Sequence, residues 1–258
     1  MSEGYVLIAI GNEYLLMVEK LIDTLRKQND YRDVYVITEP DEDDLYLSCR
    51  SDFERYGTIQ KICLDQNLPF DHNIFLDSDI LCASSTDHVW EWFKSNGQYI
   101  QQLGTERTDN PFQMSNLHQY ESELGFSIPK VHGGVIYINK TTMDPEFFEW
   151  MRNVGFPDYE KILHNHHLSY KGSRPDQEIF SLAHGKFGLK VWEIWDHPVM
   201  TVAKETIELP QSHVFFKNVH GPELDEQVPF VHVFKGSYNG SKYNSPHYNE
   251  LYNQIMNS

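Results

Sequence analysis

Asp77 and Asp79 stand two residues apart, just past the apolar run Ile74-Phe75-Leu76, in the segment Phe75-Leu-Asp-Ser-Asp-Ile-Leu81. Two carboxylates so spaced at the carboxyl end of a strand can reach one hard cation, one directly and the other directly or through water. A cation held there could bridge the phosphates of a nucleotide. The bare pattern is weak. With 18 Asp in 258 residues, about one Asp-x-Asp arises by chance, and Asp41-Glu-Asp43 is another. That second pair lies in the acidic run 39–44 and reads as solvated charge. Apolar residues on both sides single out Asp77 and Asp79. His164-Asn-His166-His167 has no Cys or carboxylate nearby to complete a zinc site and reads as a solvated helix end. The chain contains no Gly-x-Ser-x-Gly elbow and no phosphate-binding Gly-x4-Gly-Lys loop, which argues against a serine hydrolase and a P-loop enzyme.

Composition narrows the setting. The formal charge is −17 and aromatics make up 14 % of the chain. An acidic surface repels phosphate backbones and anionic lipid heads, so nucleic acid and membrane surfaces are disfavoured partners. The same surface concentrates divalent cations. Cys49, Cys63 and Cys82 are odd in number and lack metal or disulfide spacing. They read as small buried hydrophobes in a reducing compartment. No signal peptide and no apolar run of membrane-spanning length is visible, so the expected location is cytoplasmic.

The elements that would position the carboxylates follow from periodicity. Residues 5–10, 34–38, 74–76, 98–103 and 135–139 are apolar or alternating runs that predict strands. Residues 13–28, 54–66 and 87–94 carry helical apolar spacing. Pro145 opens a further helix to Val154, and 176–184 another, capped by Ser173 or Asp176. Later strands are expected at 189–194 and 229–234, with a long loop over 104–130 that has room for a short helix, and an irregular tail after 236. Strand and helix alternate through the first hundred residues, which predicts an α/β sheet with ligands at the strands' carboxyl ends. No linker divides the chain, so one domain over 1–258 is expected. Its nucleotide-binding part is about 1–103 and its acceptor and sugar part about 104–258.

Phe75–Leu81 resembles the metal-binding strand end of nucleotide-sugar glycosyltransferases of the GT-A fold. The resemblance is nearest to glycosyltransferase family 8, the glycogenin and lipopolysaccharide galactosyltransferase group. Other motifs of that family follow in order. Ala9-Ile-Gly-Asn-Glu-Tyr14 is similar to its base-holding segment, with Asn12 and Tyr14 as contacts. Lys61, with Arg55 as a rival, stands where a basic residue faces the diphosphate. His132-Gly133-Gly134 and the strand to Asn139 resemble an Asn-x-Gly strand, with His in place of the first Asn. Arg174-Pro-Asp-Gln-Glu178 looks like the motif near the reacting carbon, which places Asp176 and Gln177 there. His232-Val-Phe-Lys-Gly236 is similar to a C-terminal motif whose His is the third metal ligand. Lys235, Gly236 or Lys242 would then face the diphosphate.

The resemblance implies a mixed, mostly parallel sheet flanked by helices. It implies Asp77, Asp79 and His232 around Mn²⁺ or Mg²⁺, with Ser78 beside the donor. The expected activity is transfer of a hexose from a nucleoside diphosphate sugar, UDP-hexose first, to an unknown glycan, protein or small-molecule acceptor, with retention of configuration. Two alternatives remain open: a sugar-phosphate nucleotidyltransferase, which usually opens with a Gly-rich basic loop that this chain lacks, and a non-catalytic nucleotide-sugar-binding protein.

Overall fold

The structure, a computed structural model, describes residues 1–38, 60–105, 121–155, 176–193, 199–206, 216–220, 228–233 and 246–258. In chain order the elements are β1 (Glu3–Ile8), α1 (Asn12–Lys27), β2 (Asp33–Ile37), β3 (His72–Leu76), β4 (Ile80–Cys82), α2 (Asp87–Ser95), β5 (Ile100–Thr105) and β6 (Lys130–Asn139). Then come α3 (Pro145–Trp150), α4 (Asp176–Phe187), β7 (Trp192–Glu193), β8 (Met200–Thr206), β9 (Phe216–His220), β10 (Phe230–Val233) and α5 (Pro246–Asn257). The architecture is α/β, with a mixed, mostly parallel six-stranded sheet flanked by helices and a second sheet of four strands. The chain forms two compact units, each gathered from separate stretches. One comprises Met1–Ser2, Pro40–Asn73 and Gln98–Glu193; the other comprises Glu3–Glu39, Ile74–Gly97 and Ile194–Ser258.

In the second of these units the strands run β2-β1-β3 in the large sheet and β4-β10-β8-β9 in the small one. β1 is buried from Tyr5 to Ile8 and pairs in parallel with β2. Gly11, at φ 100°, turns the chain from β1 into α1, a conformation a side chain would strain. Met17, Leu81, Val231, Val233, Tyr248, Leu251 and Ile255 pack as one apolar cluster. Beside β1 lies a buried polar network. Tyr5 donates to Asp30 Oδ2 at 2.5 Å, Thr86 donates to the same oxygen, and Trp90 Nε1 donates to the Tyr5 hydroxyl at 2.9 Å. Burial opposes ionisation of Asp30, but the hydroxyls of Thr86 and Tyr5 and the nearby Arg32 outweigh it and hold its carboxyl below the usual range.

In the other unit β6-β5-β7 lie in order, with β5 antiparallel to β6 and parallel to β7. Asp144 caps α3 by accepting from the Glu146 N–H at 3.0 Å, and Pro145 takes the first position, as its fixed φ favours. α3 is shorter than its periodicity predicts, because the chain passes into a π-helical turn at Met151–Gly155. Phe147, Phe148 and Phe180 are fully buried, and His184 sits edge-on to Phe147 with ring centroids 5.7 Å apart.

Several further elements depart from the sequence expectation. The tail is not irregular over its last residues: Pro246–Asn257 is a helix. β8 and β9 were not foreseen, and the strand expected at 189–194 is limited to Trp192–Glu193. Cys63 and Cys82 are buried, as their spacing implies. Cys49, Asp41–Asp43 and His164–His167 lie outside the described residues. Among the described residues no helix is long and apolar enough to cross a membrane.

Candidate functional site

Asp77 directly follows β3 and opens a turn closed by the Ile80 N–H on the Asp77 carbonyl at 3.1 Å. The turn leads straight into β4, so Asp77, Ser78 and Asp79 form the bend between two buried strands. Ser78 and Asp79 are buried and Asp77 is half-buried. β10 then returns antiparallel along β4, with His232 opposite Ile80 and Phe230 opposite Cys82. The Val233 N–H donates to the Asp79 carbonyl at 3.2 Å. This register places His232 Nε2 3.0 Å from Asp79 Oδ1. One ligand atom from each of Asp77, Asp79 and His232 lies within 4.8 Å of the others, the one such trio of His, Cys, Asp or Glu among the described residues.

The trio fits a hard divalent cation. Two ligands at right angles around an ion with bonds of about 2.1 Å lie about 3.0 Å apart, the Asp79–His232 spacing. Two carboxylates and one imidazole form a donor set that suits Mn²⁺ or Mg²⁺ better than a thiolate-loving metal. Burial strengthens the field of the carboxylates at that point.

Asn12 and Tyr14 stand exposed in the first turn of α1, just beyond the carboxyl end of β1. That is the place where open α/β sheets present ligands.

A second cluster lies in the unit built around β6. Lys61 is buried, and its ammonium is 2.8 Å from Asp176 Oδ2 and 3.4 Å from the Gly133 carbonyl oxygen. Asp176 opens α4 and is 2 % exposed; its other oxygen, Oδ1, has no hydrogen-bond partner among the described residues. A buried acceptor without a donor costs about 1–3 kcal/mol, which makes it a place where a ligand hydroxyl could bind with gain. Gly133 passes so close to α4 that a Cβ there would stand 2.9 Å from Gln177 Cγ and 3.3 Å from Asp176 Oδ2. His132 is buried, and its Nδ1 accepts the Gly134 N–H at 3.0 Å, which leaves the neutral ring protonated on Nε2. Its carbonyl accepts from Gln102 Nε2 at 3.2 Å.

Sequence reasoning placed Lys61 on a diphosphate and read Asp176 as a sugar contact or a helix cap. Their ion pair was not foreseen, since nothing in either segment signals the other. Lys235, Gly236, Lys242, Arg55 and Arg174 lie outside the described residues.

No protein-family model and no curated protein matches the chain in sequence. Solved structures do match in shape. An active-site mutant of LgtC superposes with a TM-score of 0.58 at 12 % identity, over 98 % of this chain and 95 % of that one. The chain has the GT-A glycosyltransferase fold. Mouse xyloside xylosyltransferase 1 in its apo form gives 0.55 at 12 % identity, over 93 % and 99 % of the two chains. The bifunctional glycosyltransferase WbbM gives 0.57 at 12 % identity; it covers 99 % of this chain, which spans 52 % of WbbM. LgtC is a galactosyltransferase also solved with donor and acceptor sugar analogues. At these identities the likeness is one of fold, and it agrees with the GT-A expectation drawn from Phe75–Leu81.

Proposed function

We propose that the chain is a metal-dependent glycosyltransferase that moves a hexose from a nucleoside diphosphate sugar, UDP-hexose first, to an acceptor. The observation that carries this reading is the Asp77–Asp79–His232 trio, formed by the bend between β3 and β4 together with β10 of a GT-A fold. Asp77, Asp79 and His232 would hold Mn²⁺ or Mg²⁺, and Ser78 would lie beside the donor. The bound ion supplies positive charge against the leaving diphosphate.

Asn12 and Tyr14 would receive the base, and Lys235, Gly236 or Lys242 the diphosphate. His132, Gly133 and Gly134 would line the sugar's surroundings, with Asp176 and Gln177 near the anomeric carbon. Gln177 carries an amide, a poor nucleophile, so retention by attack on the face the diphosphate leaves is favoured over a covalent glycosyl–enzyme step. The division into a nucleotide part over about 1–103 and an acceptor part over about 104–258 belongs to the same reading. So does a cytoplasmic setting, which the buried cysteines Cys63 and Cys82 suit.

The test is product analysis with UDP-sugars in Mn²⁺ and no acceptor. Slow release of UDP and free sugar supports the transferase. Pyrophosphate formed from a nucleoside triphosphate and a sugar phosphate marks a nucleotidyltransferase instead. Tight donor binding without turnover marks a binding protein.

A further inference from the structure

Lys61 ties three segments together: its own helical turn, β6 through the Gly133 carbonyl, and the first residue of α4 through Asp176. Both charged side chains are buried, at 7 % exposure for Lys61 and 2 % for Asp176. A buried ammonium that faces a buried carboxylate at 2.8 Å forms a closed dipole, whose field falls off faster than that of a lone charge. Little of its charge is left to attract a diphosphate. Asp176 Oδ1, an acceptor at this place, has no hydrogen-bond partner among the described residues. A carboxylate oxygen takes a hydroxyl or an N–H and repels a phosphate oxygen.

We propose that Lys61 is a positioning residue for the sugar end of the donor, acting through Asp176, and not a ligand of the diphosphate. The inference rests on the glycosyltransferase reading above. Lys61 occupies Oδ2 and so leaves Oδ1 for a hexose hydroxyl. Through Gly133 it also holds β6 against the first turn of α4, where the missing Cβ leaves room for Gln177. The expectation that Lys61 faces the diphosphate is replaced by a role one residue removed from the substrate.

The test compares wild type, Lys61→Met, Lys61→Arg, Asp176→Asn and the double variant Lys61→Met/Asp176→Asn. UDP affinity in Mn²⁺ is measured by calorimetry, and kcat and KM by donor hydrolysis of UDP-hexose. UDP affinity is expected to stay within about twofold throughout, since the diphosphate loses no contact. Donor kcat/KM should fall about 100-fold in Lys61→Met and in Asp176→Asn, and no further in the double variant, because the two act as one unit. Lys61→Arg should recover part of the loss. UDP binding weakened about tenfold or more in Lys61→Met, or losses that multiply in the double variant, would overturn the proposal. If Lys61→Met leaves Asp176 too poorly compensated to fold, the neutral double variant carries the UDP measurement by itself. A wild-type protein that binds no UDP in Mn²⁺ overturns the glycosyltransferase reading, and this inference with it.

Discussion

His232 Nε2 lies 3.0 Å from Asp79 Oδ1, although Asp79 precedes β4 and His232 sits far along the chain on β10. The backbone makes this contact. β10 pairs with β4, the Val233 N–H donates to the Asp79 carbonyl, and Met17, Leu81, Val231 and Tyr248 pack beneath. The side chains are therefore brought together by apolar burial and strand pairing. A site assembled in this way loses little entropy when a cation arrives.

Asp79→Ala should abolish Mn²⁺-dependent nucleotide binding and lower transfer by more than about 100-fold, because the ion loses a buried carboxylate. His232→Ala should weaken Mn²⁺ binding while β10 stays in register. Circular dichroism and Mn²⁺ titration with UDP check both. Wild-type turnover in Asp79→Ala would remove this site from the mechanism. Asp41→Ala, in the other Asp-x-Asp pair, should change nothing.

Gly133→Ala tests the approach of β6 to α4. The added methyl stands 2.9 Å from Gln177 Cγ, closer than carbon atoms tolerate, so Gln177 must shift. A shift of a few tenths of an ångström at a reacting centre should lower kcat about tenfold or more and leave UDP affinity unchanged. Steady-state kinetics alongside calorimetry separates the two. A Gly133→Ala enzyme with wild-type kcat would show that Gln177 takes no part.

His184 gives the fold a pH dependence. It is fully buried, its Nδ1 lies 3.0 Å from the Phe180 carbonyl, and its Nε2 has no partner. Burial lowers its pKa to about 4 from 6.5, with the Phe180 carbonyl pulling weakly the other way. The unfolded chain then takes the proton first. Stability is complete above pH 6.5 and falls as the pH drops toward 4, by on the order of 3 kcal/mol. His184→Phe keeps the aromatic packing and removes the proton site. Urea denaturation at pH 7, 5.5 and 4.5 should show a smaller acid loss in His184→Phe than in wild type. Parallel curves would mean that His184 does not carry the effect.

The network around Asp30 predicts an order of stabilities. Asp30→Ala leaves Tyr5, Thr86 and Arg32 without their shared acceptor and should cost about 3–5 kcal/mol. Tyr5→Phe removes one donor and should cost about 1–3 kcal/mol. Equal midpoints in urea for the two variants would show that Asp30 is not the hub.

The clustering of Asp77, Asp79 and His232 was largely legible in the sequence because its parts sit on strong local signals. Ile74-Phe75-Leu76 reads as a strand from apolar run alone, and Asp77 and Asp79 follow it at once. Phe230–Val233 is likewise a short apolar run, so His232 could be placed on a strand. α5 was hidden by composition. Its Asn, Gly and Ser surroundings look irregular, yet Tyr248, Leu251 and Ile255 recur at helical spacing behind Pro246 and bury one face. β4 is three residues long, too short for any period to show. The Lys61–Asp176 pair was illegible for a different reason. No local pattern around either residue points to the other, and only tertiary packing decides which charges meet.

The central claim is a divalent-cation site that binds a nucleoside diphosphate sugar for transfer. Calorimetric titration of wild-type protein with UDP-glucose and UDP-galactose, in Mn²⁺ and again in excess EDTA, tests it most directly. The account predicts saturable binding of at least one donor in Mn²⁺, its loss in EDTA, and the same loss in Asp79→Ala with Mn²⁺ present. Donor binding of equal strength in Mn²⁺, in EDTA and in Asp79→Ala would contradict it.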